Sequence, residues 1–441
     1  MLALVACLQA HVDQDLQLPD IAESVQVQTQ GNQENEKIKV LALCVGKSKF
    51  LARIAKIVRE DFELSDQLAV ELKKTSKHLS SEVRKKLFEQ GTSLCLYLEP
   101  IKEKRDKFVT LQTTIKDLDS DEVVFEKTYD CNKDSWVLDA HTLAHDMIPA
   151  LTTQQIPVLS TLAYCKQLTN KHKVICISDY ACNVEKTVVG AQTINIAPSW
   201  HSQAPMLFYS QFTKVNSRLM SYDLNARQHK VVCSYDGITM QPSFSNDGSQ
   251  AVLCLSGSGN AQLYLYDQRL CNKLQKRVFK QLTHNAGNNF SPCMLPDGNV
   301  IYCSDALTGS PQVMYLDMKT GKHRCLTDGK GLCSSPSYCQ KNNSIVYARR
   351  VGKTFQLCMI NLSDPARKEV QITSDSTDKV EPSWSECGRY IVFAQQKREG
   401  LHILESQIAL YNRASGKIKT LTFGKEHKSF PRWIGKPLYH L

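Results

Sequence analysis

The 441-residue sequence has no apolar run approaching eighteen residues, so no segment is long enough to cross a bilayer as a helix. It also contains no C-x-x-C pair, which leaves zinc ribbons and thioredoxin-type redox motifs without support. No G-x-S-x-G elbow, H-E-x-x-H motif, P-loop or G-x-G-x-x-G loop stands in a suitable strand–helix context. The sequence therefore offers none of the common signatures of hydrolases, metalloproteases or nucleotide-binding enzymes.

Cysteine, in contrast, is abundant. There are 17 cysteines, an odd number, and many stand inside apolar β-like runs, as Cys254, Cys303 and Cys358 do. In such runs cysteine behaves as a small hydrophobic residue. Taken alone, this usage favours a reducing compartment.

The charge is divided unevenly along the chain. Residues 1–155 hold 20 Lys and Arg against 25 Asp and Glu, which gives −5, and the remainder holds 54 − 20 = 34 basic and 44 − 25 = 19 acidic residues, which gives +15. A basic C-terminal part favours an acidic protein, an anionic lipid surface, a cell-wall polymer or nucleic acid as partner. A solubilising surface charge explains the excess equally well.

The N-terminal segment reads as non-globular. "MLALVACLQA" resembles the end of a secretion signal, with a possible cleavage after Ala10, and its Cys7 also fits a lipoprotein-type pattern; a genuine cytosolic N-terminus is the alternative. Residues 11–36 are polar and rich in glutamine. We therefore predict that residues 1–36 comprise a signal-like remnant and a flexible extension.

Residues 37–152 predict a small α/β domain. "KIKVLALCV" and "TSLCLYLEP" are typical of buried strands, and residues 107–130 read as two long strands around an Asp/Ser turn. Helices are predicted at "SKFLARIAKIVREDFEL", at "SSEVRKKLFEQG", where a serine caps and Gly91 stops the helix, and at "DSWVLDAHTLAHDMIPAL".

From residue 158 to residue 441 the pattern changes to short apolar runs separated by turn residues. One element repeats: a proline, usually with an aromatic residue two positions later, and then a tight turn, as in "QPSFSNDGSQAVLC", "SPCMLPDGNVIYC" and "EPSWSECGRYIVF"; Pro292 is followed by Cys-Met instead. Its prolines, separated by 44, 50, 44, 46 and 49 residues, are Pro198, Pro242, Pro292, Pro336, Pro382 and Pro431. Such periods are typical of propeller blades with four strands each.

The ends of the repeat region predict the blade count. The last inner strand, "FPRWIGKP", has no chain left for a blade of its own, and residues 172–190 offer outer strands with no inner strand before them. Joining the two completes a blade and hides a free strand edge. We predict a two-domain protein in which a small α/β N-terminal domain precedes a six-bladed β-propeller built of these repeats.

Few residues suggest chemistry. His141 and His145 share one face of the third helix, but no further ligand follows at a familiar spacing, so two surface histidines are favoured over a metal site. Asp247 and Asp297 fit Asp-Gly turns better than calcium sites, and the basic run at residues 84–86 fits a solvated helix face better than a phosphate-binding site. We expect no catalytic residue, metal or cofactor.

The mouth of the propeller is the expected binding surface, because inner strands begin near one end of the central channel. The residues just before each proline are a mixed apolar and small polar set, namely Ala197, Met240, Gln241, Phe290, Ser291, Ser334, Ser335, Val380, Glu381, Ser429 and Phe430. One carboxylate without a convergent acid/base cluster indicates protein or peptide binding more than catalysis.

Over residues 37–441 the chain resembles the TolB family, the periplasmic propeller proteins of the Tol–Pal system. The resemblance is carried by the domain order, "IAKIVREDFELSDQ", "SWVLDAHTLAHDMIPALT", "ISDY" and the "PSFSNDG" and "PSWSECG" repeats. It implies a non-enzymatic, monomeric periplasmic scaffold that maintains outer-membrane integrity and supports cell division. It further implies that the propeller mouth binds a Pal-type lipoprotein and that the stretch around Glu23–Gln30 binds a TolA-type inner-membrane protein.

Two other functions stay open from the residues alone. A propeller enzyme, a lyase or hydrolase, would need acidic or histidine side chains converging at the channel mouth, where only Glu381 and His201 lie near. A cytosolic protein-binding propeller would suit the cysteine content.

Overall fold

A computed structural model describes residues 37–46, 48–104, 107–190, 192–214, 216–235, 237–257, 259–274 and 278–438. The predictions for residues 1–36, including the signal-like remnant and the TolA contact, lie outside the described residues. Within those ranges no helix has the length and apolar character needed to cross a bilayer. The chain divides into two compact units, and the division follows Gln154.

The N-terminal unit contains one mixed five-stranded sheet in the order β2-β1-β3-β4-β5, as the α/β prediction requires. Strands β2 and β3 run parallel to β1, and β4 and β5 continue the sheet antiparallel. The strands are β1 (Ile38–Val45), β2 (Leu68–Thr75), β3 (Leu94–Lys104), β4 (Phe108–Asp117) and β5 (Val123–Asn132). The helices are α1 (Lys49–Glu63), α2 (Ser81–Glu89) and α3 (Trp136–Leu151).

Helix α1 forms where the sequence predicts it. The Ser48 hydroxyl caps its first turn by accepting the N–H of Leu51 at 3.4 Å, and apolar residues at helical spacing, including Ile54 and Val58, are buried. The helix packs on α3 and on β2. Its buried face therefore supplies a large part of the N-terminal core.

Two features of this unit differ from the sequence interpretation. Strand β2 was not predicted, because its alternating "LAVELKKT" carries three charged residues and leaves most side chains partly exposed at a sheet edge. The prediction that His141 and His145 are both surface residues was wrong for His141. Its ring is fully buried, and Nδ1 lies 2.8 Å from the carboxylate of Asp61, also fully buried, on helix α1.

The second unit is built almost entirely of antiparallel strands, with one short helix, α4 (Gln268–Leu274). Four separate four-stranded sheets follow one another along the chain. They consist of β13 (Thr239–Phe244), β14 (Gln250–Leu255), β15 (Gln262–Asp267) and β16 (Phe279–Gln281); β17 (Asn289–Met294), β18 (Val300–Ser304), β19 (Gln312–Leu316) and β20 (His323–Cys325); β21 (Cys333–Cys339), β22 (Ser344–Val351), β23 (Thr354–Asn361) and β24 (Glu369–Gln371); and β25 (Asp378–Trp384), β26 (Tyr390–Glu399), β27 (His402–Asn412) and β28 (Ile418–Thr420).

The other eight strands form a single sheet that joins the two ends of the unit. Its members are β6 (Thr161–Thr169), β7 (His172–Asp179), β8 (Glu185–Val189), β9 (Ile194–Trp200), β10 (Met206–Phe212), β11 (Ser217–Asp223), β12 (Gln228–Tyr235) and β29 (Lys428–Ile434). As predicted, the last strand of the chain, β29, pairs with the strands that begin the unit, next to β6. Both ends of the unit are thus held in one sheet.

We call β9, β13, β17, β21, β25 and β29 the inner strands, because each contains one of the six repeat prolines. Each inner strand contacts the next one in this order, and β29 contacts β9. Buried apolar side chains fill the space between neighbouring sheets, as where Val346 and Phe393 meet in one core cluster. A single sheet could not bury both its faces, whereas stacked sheets do.

Candidate partner-binding site

The residue before each repeat proline has a left-handed backbone. These six φ angles are positive and none belongs to glycine: Ala197 (54°), Gln241 (38°), Ser291 (50°), Ser335 (53°), Glu381 (58°) and Phe430 (54°). The pairing register of each inner strand shifts at the same place. Proline has no N–H to give to the ladder, and a bulge there re-aims the neighbouring side chain. The repeat therefore builds six bulges, one in each inner strand.

The serine after the proline links neighbouring inner strands. The hydroxyl of Ser199 donates to the carbonyl of Pro242 at 2.5 Å, and the hydroxyls of other serines accept a backbone N–H from the next inner strand. Those acceptors are Ser243 (from Met294, 2.8 Å), Ser337 (from Trp384, 3.2 Å) and Ser383 (from Trp433, 3.1 Å). Cys293 stands in the same position and accepts the N–H of Tyr338. The Pro-Ser dipeptide of the repeat thus has a structural purpose.

A cavity of about 230 Å³ lies between the inner strands. Its lining includes four of the repeat prolines, small polar side chains and one charged residue. These residues are Pro242, Pro292, Pro336, Pro382, Ser199, Ser243, Ser337 and Arg432. Most of the serine hydroxyls in this lining are already engaged between strands. Trp200, Phe244 and Trp433 also line it, so the cavity is mixed polar and apolar, and the positions of most of its serines are fixed by the strand links.

Two charged side chains meet in this region, Glu381 and Arg432, and both are partly exposed. The Glu381 carboxylate accepts the backbone N–H of Phe430, while Nη1 of Arg432 donates to the carbonyls of Glu381 at 3.3 Å and of Pro431 at 2.8 Å. Burial raises the pKa of Glu381, against the lowering effects of the Phe430 N–H and of Arg432. Burial likewise lowers the pKa of Arg432. The arrangement offers one carboxylate and one guanidinium to a ligand, with no histidine beside them in these contacts.

The structure brings most of the predicted rim residues to the start of the inner strands with partly exposed surfaces. Two of them are buried: Ala197 has no exposed surface and Ser334 only 9%. Those two side chains can contribute little to a contact, because the neighbouring strands cover them. The partly exposed members are Met240, Gln241, Phe290, Ser291, Ser335, Val380, Glu381, Ser429 and Phe430.

His201, the second residue considered for catalysis, is occupied by its own turn. Its Nδ1 accepts the backbone N–H groups of Gln203 at 3.1 Å and Ala204 at 2.9 Å, and burial lowers the pKa of its ring. The ring also contacts Phe244, with centroids 4.8 Å apart. His201 therefore stabilises a turn and the packing beneath it.

The turn carboxylates hold their own loops, as the sequence predicts. Asp247 accepts the N–H and hydroxyl of Ser249, and Gly248 takes φ 72°. Asp297 accepts the N–H of Asn299 at 3.0 Å. In the part of the chain that the structure describes, no three His, Cys, Asp or Glu side chains are grouped so that they could hold a metal ion.

Sequence reasoning missed a buried polar pair that holds the loops before the rim. In three sheets a glutamine of the third strand accepts a hydrogen bond from the hydroxyl of the threonine that follows the fourth strand, at 2.7 to 2.8 Å: Gln312 with Thr327, Gln356 with Thr373 and Gln407 with Thr422. The glutamine amide also donates to loop carbonyls, as from Gln356 to Asp375 at 2.7 Å. The recurring "Q" and "LT" of the repeats were the available signal.

Four-stranded antiparallel sheets whose first strands surround a shared channel define a β-propeller. The propeller follows a small α/β unit, and its rim and channel present backbone bulges, small polar groups and one carboxylate. Such a scaffold suits binding of another chain.

The comparisons with known proteins agree with this class. The model of the TolB beta propeller domain family matches residues 149–434, so the chain belongs to that family. This confirms the family resemblance seen in the sequence.

Individual relatives carry the same name. The chain is 25% identical over 370 residues to the Tol-Pal system protein TolB of Helicobacter pylori strain J99, covering 78% of this chain and 84% of that protein. It is 26% identical over 309 residues to the protein of the same name from Francisella tularensis subsp. mediasiatica, covering 67% and 68%. The crystal structure of TolB from Acinetobacter baumannii superimposes with a TM-score of 0.76 at 19% identity, covering 91% of this chain and 97% of that one, which shows the fold.

Proposed function

We propose that this protein is a non-enzymatic periplasmic scaffold of the Tol–Pal system that binds partner proteins and thereby maintains outer-membrane integrity and supports cell division. The names of its relatives support a role in that system. The observation that supports the binding role is the set of six bulges, one at the residue before each repeat proline, in inner strands that contact one another in sequence. The channel residues described above form no acid/base cluster, which supports a scaffold over a lyase or hydrolase.

The proposed organisation is an α/β domain at residues 37–152 and a six-bladed propeller at residues 158–441. Four blades correspond to the separate four-stranded sheets. The eight-stranded sheet supplies the other two, because its halves β29-β6-β7-β8 and β9-β10-β11-β12 are joined by the single parallel residue pair Lys173 and Ile194.

In this proposal the propeller rim binds a Pal-type lipoprotein and the N-terminal extension binds a TolA-type protein, with the scaffold acting as a monomer. Phe290 and Glu381 offer the rim an aromatic anchor and a carboxylate. Aromatic and charged anchors that become desolvated dominate most protein interfaces.

Calorimetry with the soluble domain of the Pal-type lipoprotein from the same organism tests the rim assignment. We expect specific binding by the full chain and a loss of about tenfold or more in affinity for Phe290→Ala and for Glu381→Ala, the scale of a binding hot spot. Val370→Ala is the matched control, because this valine is equally apolar and 46% exposed but lies on an outer strand. Binding that is unaffected by both rim changes would place the partner elsewhere, and absence of binding would contradict the scaffold role.

The basic charge of the propeller leads to a further expectation for the same experiment. If the partner surface is acidic, added salt lowers the affinity steeply by screening. An affinity independent of salt would contradict an acidic partner surface.

A cytosolic protein-binding propeller is the second candidate, favoured by the cysteines. All 16 cysteines of the described residues are free thiols. Fractionation of cells that express the full-length gene separates the two candidates, because release with the periplasmic fraction supports the first and retention in the cytosol supports the second.

A further inference from the structure

Three loops meet at one end of the propeller. They belong to the sheet of β25 to β28 and to the neighbouring eight-stranded sheet that contains β29 and β6. The chain reaches this end at the β6–β7 turn, at the β26–β27 hairpin and in the loop from β28 to β29, because β26 is antiparallel to β25 and β6 is antiparallel to β29. We call these segments, residues 167–172, 397–405 and 421–427, the end patch. It lies at the same end as the rim but away from the channel axis.

Backbone and side-chain contacts make the end patch continuous. The N–H of Gln167 donates to the carbonyl of His427 at 2.9 Å, which joins the first turn to the loop. The amide of Gln407 donates to the carbonyl of Gly424 at 2.9 Å, which joins the long hairpin to the same loop. The three segments therefore present one surface, although the first lies more than 200 residues before the other two in sequence.

The end patch exposes large apolar side chains that no described contact covers. Each of its turns contributes at least one: Leu168 (46% exposed), Leu401 (58%), Ile403 (40%), Leu404 (60%) and Phe423 (74%). Single exposed leucines are ordinary on a protein surface, whereas a group of five on adjoining turns marks an interaction site.

Basic residues lie beside these apolar side chains. The end patch contains four basic residues, Lys171, Lys397, Arg398 and Lys425, and three acidic ones, Glu399, Glu405 and Glu426, so its net charge is 4 − 3 = +1. Two of the basic residues are paired with carboxylates: Lys397 with Glu405 at 2.8 Å and Arg398 with Asp378 at 2.6 Å. Lys171 and Lys425 lie beside the apolar tips, at exposed positions.

We infer that the end patch docks the propeller directly on the surface of a lipid bilayer that contains anionic lipid. Aliphatic and aromatic side chains on protruding turns, framed by lysines, can enter the headgroup region while the cations meet the lipid charge. An acidic protein would need a surface whose shape is complementary to three separate loops. A fluid bilayer can adapt to the three loops without such a preformed surface. The inference goes beyond the proposed scaffold role and does not rest on it.

Vesicle flotation of the full chain tests the inference. We expect binding to vesicles of phosphatidylcholine and phosphatidylglycerol and much weaker binding to phosphatidylcholine alone. The double variant Leu401→Ser, Leu404→Ser should lower the coefficient for partitioning of the protein onto vesicles by about tenfold or more. Each exposed leucine that enters the bilayer increases this coefficient severalfold. Lys171→Gln with Lys425→Gln should weaken binding about tenfold and flatten its dependence on salt.

Controls separate the end patch from the rest of the molecule. Leu307→Ser removes a leucine that is 64% exposed on the β18–β19 turn of a different blade, and we expect it to bind vesicles as the unchanged chain does. A tryptophan in place of Phe423 should be quenched by brominated lipid, while one in place of Leu307 should not.

Several results would overturn the inference. They are absence of binding to anionic vesicles, equal binding by the double leucine variant and the unchanged chain, or equal quenching at positions 307 and 423. Capture of an acidic protein through the end patch, without vesicle binding, would replace the bilayer with a protein partner.

Discussion

Ser383 gives the sharpest test of how the inner strands hold together. It is only 6% exposed, and its hydroxyl accepts the N–H of Trp433, itself buried, at 3.1 Å. That N–H points from β29 toward β25, so it takes no part in the pairing of β29 with β6. Replacing Ser383 by alanine leaves a buried donor without a partner, which costs about 1–3 kcal/mol.

The expected loss can be measured as a melting temperature. At about 2 °C for each kcal/mol, the low end of the range because the unit is large, Ser383→Ala should lower the Tm of the propeller by about 2–6 °C. Hydrogen exchange of the Trp433 amide should accelerate as well. Ser383→Cys should lose much less, since Cys293 fills the equivalent position on β17 and accepts the N–H of Tyr338.

Ser415→Ala is the matched control, because this serine lies exposed in a turn and its removal should change stability by less than about 0.5 kcal/mol. If Ser383→Ala melts at the same temperature as this control and the Trp433 amide exchanges at its original rate, the serine links do not stabilise the ring and the reasoning is refuted.

Three further perturbations probe other parts of the chain. Asp61→Ala should destabilise the N-terminal unit by about 1–3 kcal/mol by removing a buried hydrogen-bond partner of His141, measured by thermal unfolding and limited proteolysis. Alkylation of the native protein should label a minority of the cysteines, with the exposed Cys325 first, measured by mass spectrometry. The pKa of Asp375 is lowered, because the opposing effect of burial is outweighed by hydrogen bonds from Lys379 and Thr377. The carboxylate therefore stabilises the folded protein above the pKa that Asp375 has in the unfolded chain. This stabilisation is lost as the pH falls through the pKa of Asp375 in the folded protein. Asp375→Asn should therefore flatten the acid limb of the stability curve.

Each of these has its own control and its own contrary result. For the buried pair the control is Glu63→Ala, an exposed position on the same helix, and equal stability of both variants would show that the pair contributes nothing. For the thiols the control is alkylation after unfolding, and labelling of most cysteines in the folded protein would contradict their burial in strands. For the stability at acid pH, the contrary result is an Asp375→Asn variant that loses stability with falling pH as steeply as the unchanged chain. That result would assign the acid sensitivity to other carboxylates.

Local chemistry made much of the fold predictable. Helix α1 follows from its serine cap and the spacing of Ile54 and Val58, and the turn at Gly248 follows from an Asp-Gly pair that needs a positive φ. Strand β2 escaped prediction because an exposed edge strand carries only a weak apolar alternation. Its place in the sheet depends on pairing with β1, a contact that no local pattern encodes.

The candidate site divides in the same way. The period of the prolines located the rim, since each repeat builds the same strand at the same end of the ring. It did not show that Ala197 and Ser334 are buried, because their exposure is set by neighbouring strands distant in sequence. Nor did it show the positive φ before each proline, which proline itself disfavours and the surrounding ladder imposes.

The sequence by itself determined the repeating unit, the α/β unit before it and the family to which the chain belongs, because turns, caps and apolar periods act over a few residues. Only the tertiary structure decided what the repeats enclose and expose. The burial of His141 against Asp61, the serine links between inner strands and the end patch all join residues far apart in the chain. Such contacts arise from packing and from the pairing of β29 with β6, which bring together surfaces that no local stretch contains.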